Sequence, residues 1–251
     1  MGKNPFISIA MTTYNTSQYV EAAINSVAIQ SYPYWELIII DDASTDDTID
    51  VVKKCLKKNN IEERTKIIIH DKNYGYGRSL KDSIENGIGD LIAIVDSDDA
   101  LSEPYSLDIM AKAHLKNPDV ALCYSTYYTC TTKLMKRKNK IKSITPIPKG
   151  VSYLGNMKKY RVSHLKVIKR RFYNMTDGVN PTLFRSVDKD LTLKLEEVGK
   201  LLYIPKPLYI YRKRSGCLTS SFKRRPSSYK KKVRSDKINF IREARKRREK
   251  K

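Results

Sequence analysis

Clustered cysteine and histidine residues are missing from this chain of 251 residues. Its four cysteines stand apart without a Cys-x-x-Cys pair, and its three histidines lie at positions 70, 114 and 164. A structural zinc site needs such ligands at close spacing, and a disulfide framework needs a paired pattern. The sequence therefore argues against both, and we expect reduced, mostly buried thiols.

Long apolar runs are missing as well. The longest ones, such as residues 37–40, are far shorter than the roughly 20 residues that a membrane-spanning helix needs. The first residues lead into a strand-like segment rather than a long apolar region, which is not typical of a signal peptide. We therefore expect a cytoplasmic protein, which could also lie peripherally at the inner face of a membrane.

Acidic residues are absent from a long central segment. The formal net charge is +22, and 14 Lys and Arg residues lie between Val120 and Thr176 without a single Asp or Glu. Residues 223–251 hold 15 basic residues against three acidic ones. Such charge can be a solvated surface without a specific role. It can also bind a polyanionic partner, either an anionic membrane surface or nucleic acid such as DNA.

The first 120 residues alternate largely apolar strands with helical patterns. Strands are predicted at 7–11, 35–40, 66–70 and 91–95, and the helices between them begin near residues 20, 45 and 79. Apolar strands separated by helices indicate an α/β fold with a parallel sheet that is covered on both faces. In such sheets ligands bind beyond the carboxyl ends of the strands.

The pattern is weaker after Val120. The predicted elements are a strand at 122–128, a basic loop at 131–149, a helix from Ser186 to Gly199, two short strands at 201–204 and 208–211, and a basic arm from Ser227. We expect the two short strands to be separated by Pro205 and Pro207, and the arm to be helical or partly disordered.

Two acidic clusters follow predicted strands directly. Asp41 and Asp42 end the second strand, and Asp96, Asp98 and Asp99 end the fourth. Mg²⁺ and Mn²⁺ prefer oxygen ligands and often keep diphosphate oxygens as partners. These positions therefore predict a site for a metal ion and a diphosphate, with a solvated acidic turn as the alternative interpretation.

Several segments resemble the motifs of glycosyltransferase family 2. Residues 7–15 resemble its opening strand and Tyr-Asn turn, 37–46 its I-V-D-D-x-S-x-D segment, 73–75 its N-x-G loop and 95–99 its D-x-D-D motif. Residues 188–191 resemble its E-D-x-D-L segment, and 207–212 its P-L-x-x-Y-R segment. The resemblance is strong over 6–116 and moderate over 177–219.

This resemblance implies the GT-A fold, a Rossmann-like and mostly parallel sheet flanked by helices. It implies one domain at 1–222, with a nucleotide-sugar half at 1–119 and an acceptor half at 120–222. A basic C-terminal tail at 223–251 would follow as a helical or disordered extension.

The resemblance also implies inverting sugar transfer from a nucleotide-sugar, most simply a UDP-sugar, with Mn²⁺ or Mg²⁺. The donor-binding residues it implies are Thr13, Tyr14, Asn15, Asp42, Arg78, Asp96 and Ser97. The metal would be held by Asp98, with Asp96 and Asp99 beside it. For Arg78, a solvated surface arginine remains an alternative.

The catalytic base matched by position is Asp188, which would take the proton of the acceptor hydroxyl. The family's preceding Glu is Val187 here, which leaves Asp190 as a rival. A carboxylate at a helix N-terminus can also simply stabilise the helix. Where many family members carry a histidine that approaches the metal, this chain has Arg214.

The acceptor implied by the family is a saccharide or lipid-linked saccharide at an anionic surface. A transferase acting on modified DNA bases is an alternative that would use the same basic segments. A non-catalytic nucleic-acid-binding protein would explain the charge but not the acidic strand ends. A nucleotidyltransferase would share the metal carboxylates, but the glycine-rich basic signature near its first strand is absent.

Overall fold

The computed structural model describes residues 4–131, 140–142, 144–148, 150–183, 185–213 and 226–250. In the first half, strands alternate with helices in the order β1 (Ile7–Thr13), α1 (Val20–Ala28), β2 (Trp35–Asp41), α2 (Thr48–Lys58), β3 (Thr65–Ile69), α3 (Tyr76–Glu85) and β4 (Leu91–Ile94). A 3-10 turn (Glu62–Arg64) precedes β3. The four predicted strands and the three helices between them are confirmed.

The second half adds more irregular elements. They are β5 (Ala100–Leu101), α4 (Ser106–Lys116), β6 (Val120–Thr131), β7 (Lys140–Lys142), α5 (Tyr153–Asn156), β8 (Lys166–Lys169), α6 (Arg170–Tyr173), α7 (Val187–Val198), β9 (Lys200–Lys213) and α8 (Ser227–Glu249). Of the basic loop predicted at 131–149, the described part includes the strand β7, while residues 132–139, 143 and 149 lie outside the described residues.

The strands form one sheet in the order β3-β2-β1-β4-β8-β6-β9-β5, with β7 paired to β6. Strands β1 to β4 are parallel to one another, and β8 runs antiparallel between β4 and β6. The long pair of β6 and β9 is again parallel. The predicted α/β sheet, mostly parallel and flanked by helices, is confirmed.

Each face of the sheet has its own apolar core, because successive side chains of a strand point to opposite faces. On β1, Ile9 and Met11 belong to a core shared with α1, α2 and α4, whereas Ala10 belongs to a core shared with α3 and α7. This double burial explains why the strands are apolar throughout rather than alternating.

The prediction of two short strands at 201–204 and 208–211 is wrong, because β9 is one continuous strand of 14 residues. Its register against β6 shifts where Ile204 pairs with Ser125 and Pro207 with Thr126. Pro205 and Lys206 are therefore left over as a bulge. A bulge tolerates a proline because no ladder hydrogen bond is required there.

The C-terminal segment is not an independent arm over its described part, since α8 packs against α7. Asp236, Phe240 and Ala244 are buried on one side of the helix. The predicted domain boundary at residue 222 lies in a stretch outside the described residues.

The expectation of reduced, buried thiols agrees with the described cysteines. Cys55, Cys123 and Cys130 are free and buried, while Cys217 lies outside the described residues. No helix within the described ranges has the length and apolar character needed to cross a membrane.

Candidate active site

The loops after β1 and β2 are tied together at the carboxyl edge of the sheet. The hydroxyl of Thr13 donates to a carboxylate oxygen of Asp41 at 2.7 Å, and the Ser44 amide donates to the other oxygen at 2.8 Å. The Asn15 side chain accepts a hydrogen bond from the Thr45 amide at 2.8 Å. Thr13 and Asn15, which are predicted to bind the nucleotide-sugar, therefore belong to a preorganised rim at this edge.

Asp42 organises the glycine loop that precedes α3. Its carboxylate accepts hydrogen bonds from the amides of Tyr74 at 2.9 Å and Gly75 at 2.7 Å, and it contacts His70 Nδ1 at 2.9 Å. Gly75 has a φ of 89°, which favours glycine. The Asp42 side chain is almost fully buried, so its clearest role is to hold this loop, and its contact with a donor stays a prediction.

Two other residues that are predicted to bind the nucleotide-sugar are more exposed to solvent than Asp42. Tyr14 is 46% exposed, and the Arg78 guanidinium is bound by Asp82 at 2.7 Å while lying over the ring of Tyr74. Arg78 thus borders the glycine loop and is largely solvent-exposed. Both residues are on the same edge of the sheet as Asp42, and their contacts with a donor stay predictions.

The loop after β4 is fixed by residues of β9. The Asp96 amide donates to the Tyr209 hydroxyl at 3.0 Å. Asp99 is buried and accepts a hydrogen bond from the Arg212 amide at 2.7 Å, while Arg212 Nε donates to the Asp98 carbonyl at 2.7 Å. These bonds hold the loop in one conformation, with Ser97 also buried within it.

The carboxylates of this loop repel one another. Burial and the neighbouring Asp98 raise the pKa of Asp96 to about 7. Burial, together with Asp98 and Asp96, holds the pKa of Asp99 well above its usual range. One buried oxygen of Asp99 has no hydrogen-bond partner among the described residues. A cation would relieve this repulsion, and these carboxylate oxygens are ligands that suit Mn²⁺ or Mg²⁺.

The protein alone does not complete a metal cage in the part of the chain that the structure describes, where no three His, Cys, Asp or Glu side chains gather around one point. Mg²⁺-type sites often use one or two carboxylates together with phosphate oxygens and water. The loop therefore fits a cation that shares its coordination with a diphosphate.

Asp188 lies in the first turn of α7 and is held by an ion pair. Its carboxylate is 2.9 Å from the ammonium of Lys166, a side chain that is only 4% exposed, while the Asp188 side chain remains 39% exposed. Burial acts to raise the pKa of Asp188, but the Lys166 ammonium outweighs it and lowers the pKa to about 2. Asp188 is therefore ionised at neutral pH and still accessible.

Lys166 also links Asp188 to the loop after β4. In the pairing of β8 with β4, Lys166 is opposite Ile94, two residues before Asp96. Its ammonium helps to lower the pKa of Asp96, against the larger effect of burial and Asp98. One buried cation thus acts on both the carboxylate of Asp188 and the carboxylate of Asp96.

Asp190, the rival base, lies in a different environment. It is buried and forms an ion pair with Lys194 at 3.1 Å, on the side of α7 where Glu197 and Arg247 also lie. Burial raises its pKa despite the charge of Lys194. The structure therefore brings Asp188, and not Asp190, close to Asp96 in the loop after β4. Arg214, the other departure from the motif, lies outside the described residues.

Four residues of the site are absent from the sequence-based prediction. Tyr76 donates to Asp96 at 3.3 Å, and Tyr209 is stacked on His164 with their ring centroids 4.9 Å apart. In the sequence, Lys166 is only one of the basic residues of the segment 120–176. A lysine between Leu165 and the apolar pair Val167 and Ile168 was the signal that could have found it, since lysine rarely lies inside an apolar strand unless it is paired.

The strand order is that of the GT-A fold. An acidic loop follows β4, and the longer second half of the chain packs back onto the sheet. A solved structure of S. aureus TarS 1–349 in complex with UDP-GlcNAc has this fold, with a TM-score of 0.69 over 86% of this chain and 61% of that chain, at 22% identity. A mannosyltransferase from Pyrobaculum calidifontis in complex with GDP-Man and Mn²⁺ matches with a TM-score of 0.65 over 86% and 59% of the two chains, at 16% identity.

The particular family follows from the sequence itself. The model of glycosyl transferase family 2 matches residues 8–177, and the chain belongs to this family. It is 29% identical over 210 residues to a hyaluronan synthase of Pasteurella multocida, covering 82% of this chain and 20% of the synthase. It is 25% identical to the glycosyltransferase GlyG of Streptococcus pneumoniae, covering 84% of this chain and 72% of GlyG. The chain thus spans only a small part of the synthase.

Proposed function

We propose that the protein is a metal-dependent, inverting glycosyltransferase that moves a sugar from a nucleoside-diphosphate sugar to an acceptor hydroxyl. The observation that carries the proposal is the buried ammonium of Lys166, which pairs with Asp188 at 2.9 Å and also helps to lower the pKa of Asp96 after β4. It supports a division of the site into a diphosphate side after β4 and a base side on α7.

In this reaction the acceptor hydroxyl attacks the anomeric carbon as the bond to the diphosphate breaks. The proton of that hydroxyl passes to a carboxylate oxygen of Asp188, whose exposed part is available to an acceptor. The Thr13–Asn15 rim and the glycine loop held by Asp42 would position the nucleotide, with Arg78 and Ser97 nearby. Asp98, assisted by Asp96 and Asp99, would hold a divalent ion that neutralises charge on the leaving diphosphate.

The names of similar proteins support a nucleotide-sugar donor. One neighbouring structure contains UDP-GlcNAc and another GDP-Man with Mn²⁺. We favour a UDP-sugar, because the TarS structure with UDP-GlcNAc exceeds the mannosyltransferase structure with GDP-Man in both TM-score and sequence identity to this chain.

The test is a screen of UDP- and GDP-sugars with Mn²⁺, following the slow release of nucleoside diphosphate by hydrolysis. We expect one nucleotide-sugar to be hydrolysed well above the others, and a chelator to stop the release. Hydrolysis of none of them, with protein of intact fold, would overturn the proposal without requiring any knowledge of the acceptor.

For the acceptor we propose a saccharide or lipid-linked saccharide, with the protein in the cytoplasm and peripheral at a membrane. The named saccharide synthases among the similar proteins support this choice over modified bases of DNA. The strongly basic second half of the chain supports an anionic partner.

Lys166→Met is expected to change the pH profile of transfer. Without the ammonium, burial raises the pKa of Asp188 against only the weaker effects of His164 and Lys189, so that the base becomes protonated as the pH falls. We expect the acidic limb of kcat to move upward by at least about one pH unit. The measurement is the dependence of kcat on pH at saturating donor and acceptor.

Lys166→Arg is the matched control, because it keeps the positive charge opposite Asp188. Other charged or titratable groups near Asp188 are His164, Lys189, Tyr76, Tyr153 and Asp96. They are unchanged in both variants. A uniform loss of kcat in Lys166→Met at every pH would assign Lys166 a purely structural role.

A further inference from the structure

Helix α8 is anchored to the acceptor half of the protein by one side only. Phe240 and Ala244 are buried against the rest of the protein. Near the end of the helix, Arg247 forms a bidentate ion pair with Glu197 of α7, with hydrogen bonds of 2.7 and 2.9 Å. The orientation of α8 about its own axis is therefore defined, and so is the face that it turns to solvent.

That outward face carries a row of exposed residues that we call the basic stripe. It consists of Lys231, Arg234, Ile238, Arg242 and Arg245. At 100° per residue these positions fall within about 60° of one line, on the side opposite Phe240. At 1.5 Å per residue the stripe is about 21 Å long.

The charges of the stripe are not used inside the protein. Within the described residues, none of its four basic side chains forms a salt bridge, unlike Arg247 and Arg248 on the inner side. The two acidic residues in the same stretch are placed elsewhere, since Asp236 is buried and Glu243 pairs with Lys246. The stripe is thus uniformly positive and available.

Its chemistry fits an anionic lipid surface better than nucleic acid. Ile238 is 57% exposed in the middle of the stripe, where a lipid interface would remove it from water and a phosphate backbone would not. The stripe offers no aromatic side chain for base stacking and no amide side chain for base edges. A helix that lies in the plane of a membrane presents its basic residues to acidic headgroups in this manner.

The helix that carries the stripe also lies near α7. Lys237 of α8 lies near Lys189, in the same first turn of α7 as Asp188. A surface bound to the outer face of α8 would therefore be one helix diameter, roughly 10 Å, from the helix that carries the proposed base.

We propose that the basic stripe docks the protein reversibly onto an anionic phospholipid surface, with α8 lying along the membrane plane. Docking does not require sugar transfer, so this proposal can fail while the proposed function stands, and the reverse also holds.

The test is co-sedimentation of the full chain with vesicles of phosphatidylcholine alone or with about 30% phosphatidylglycerol. We expect binding only to the anionic vesicles and a loss of binding with rising salt. Charge reversal of the stripe, K231E/R234E/R242E/R245E, should weaken vesicle binding at least about tenfold. Circular dichroism and the melting temperature show whether α8 and the fold are retained.

The matched control reverses four exposed lysines of α2, K53E/K54E/K57E/K58E, which changes the net charge equally. Equal losses in both variants would show that net charge alone drives binding and would overturn the proposal. A wild-type chain that ignores anionic vesicles would do so as well, as would a stripe variant that loses binding to double-stranded DNA but keeps vesicle binding. Ile238→Ser should weaken vesicle binding partially and leave any DNA binding unchanged.

Discussion

Replacing Asp188 with Asn is expected to lower kcat for sugar transfer at least about a hundredfold, the usual contribution of a general base. The amide keeps the size of the side chain and cannot accept the acceptor's proton. Because the proposed site separates the base on α7 from the diphosphate side after β4, we expect the KM for the nucleotide-sugar to change little. Steady-state kinetics with the donor found in the screen measure both quantities.

Asp190→Asn is the control on the same helix. It breaks a buried ion pair with Lys194, which costs about 3 kcal/mol of the free energy of unfolding. We therefore expect a lower Tm but a nearly unchanged kcat when the assay runs well below that Tm. A near-normal rate for Asp188→Asn combined with an inactive Asp190→Asn would reverse the assignment of the base.

The first half of the fold was predictable because its signals are local. Strands buried on both faces are continuously apolar, as in residues 37–40, and each ends at a polar turn. The second half depends on distant contacts instead. The continuity of β9 through Pro205 arises from its pairing with β6, about 80 residues earlier in the chain, and the docking of α8 depends on the matching surface of α7.

The same distinction applies to the site. The acidic loop after β4 was predictable, because its residues are adjacent in sequence and follow a buried strand. Choosing between Asp188 and Asp190 was not possible from sequence, since two residues of one helical turn differ only in the direction of their side chains. Lys166 had to be seen in three dimensions, because the antiparallel strand that carries it enters the sheet from a different part of the chain.

Asp98→Asn is expected to abolish metal-dependent transfer, lowering kcat/KM at least about a thousandfold, which corresponds to about 4 kcal/mol of transition-state stabilisation. The backbone of Asp98 is held by Arg212 through its carbonyl, and the substitution leaves that bond in place. The fold and the Tm should therefore be retained. Titration of Mn²⁺ in the presence of the nucleoside diphosphate should show weakened metal binding.

Asp119→Asn is the matched control, because it also removes one carboxylate. Asp119 forms an exposed ion pair with Lys200 at the start of β6, at the edge of the sheet away from the loop after β4. The variant should bind Mn²⁺ and transfer sugar like the wild type.

The pH dependence of Mn²⁺ binding gives a second check. Because the pKa of Asp96 is about 7 without metal, Mn²⁺ must displace a proton below that pH, so the metal affinity of the wild type should fall as the pH drops from 8 to 6. An affinity independent of pH, or full activity of Asp98→Asn, would mean that the carboxylates after β4 serve only to shape the loop, and that the diphosphate is neutralised by the basic side chains of the second half.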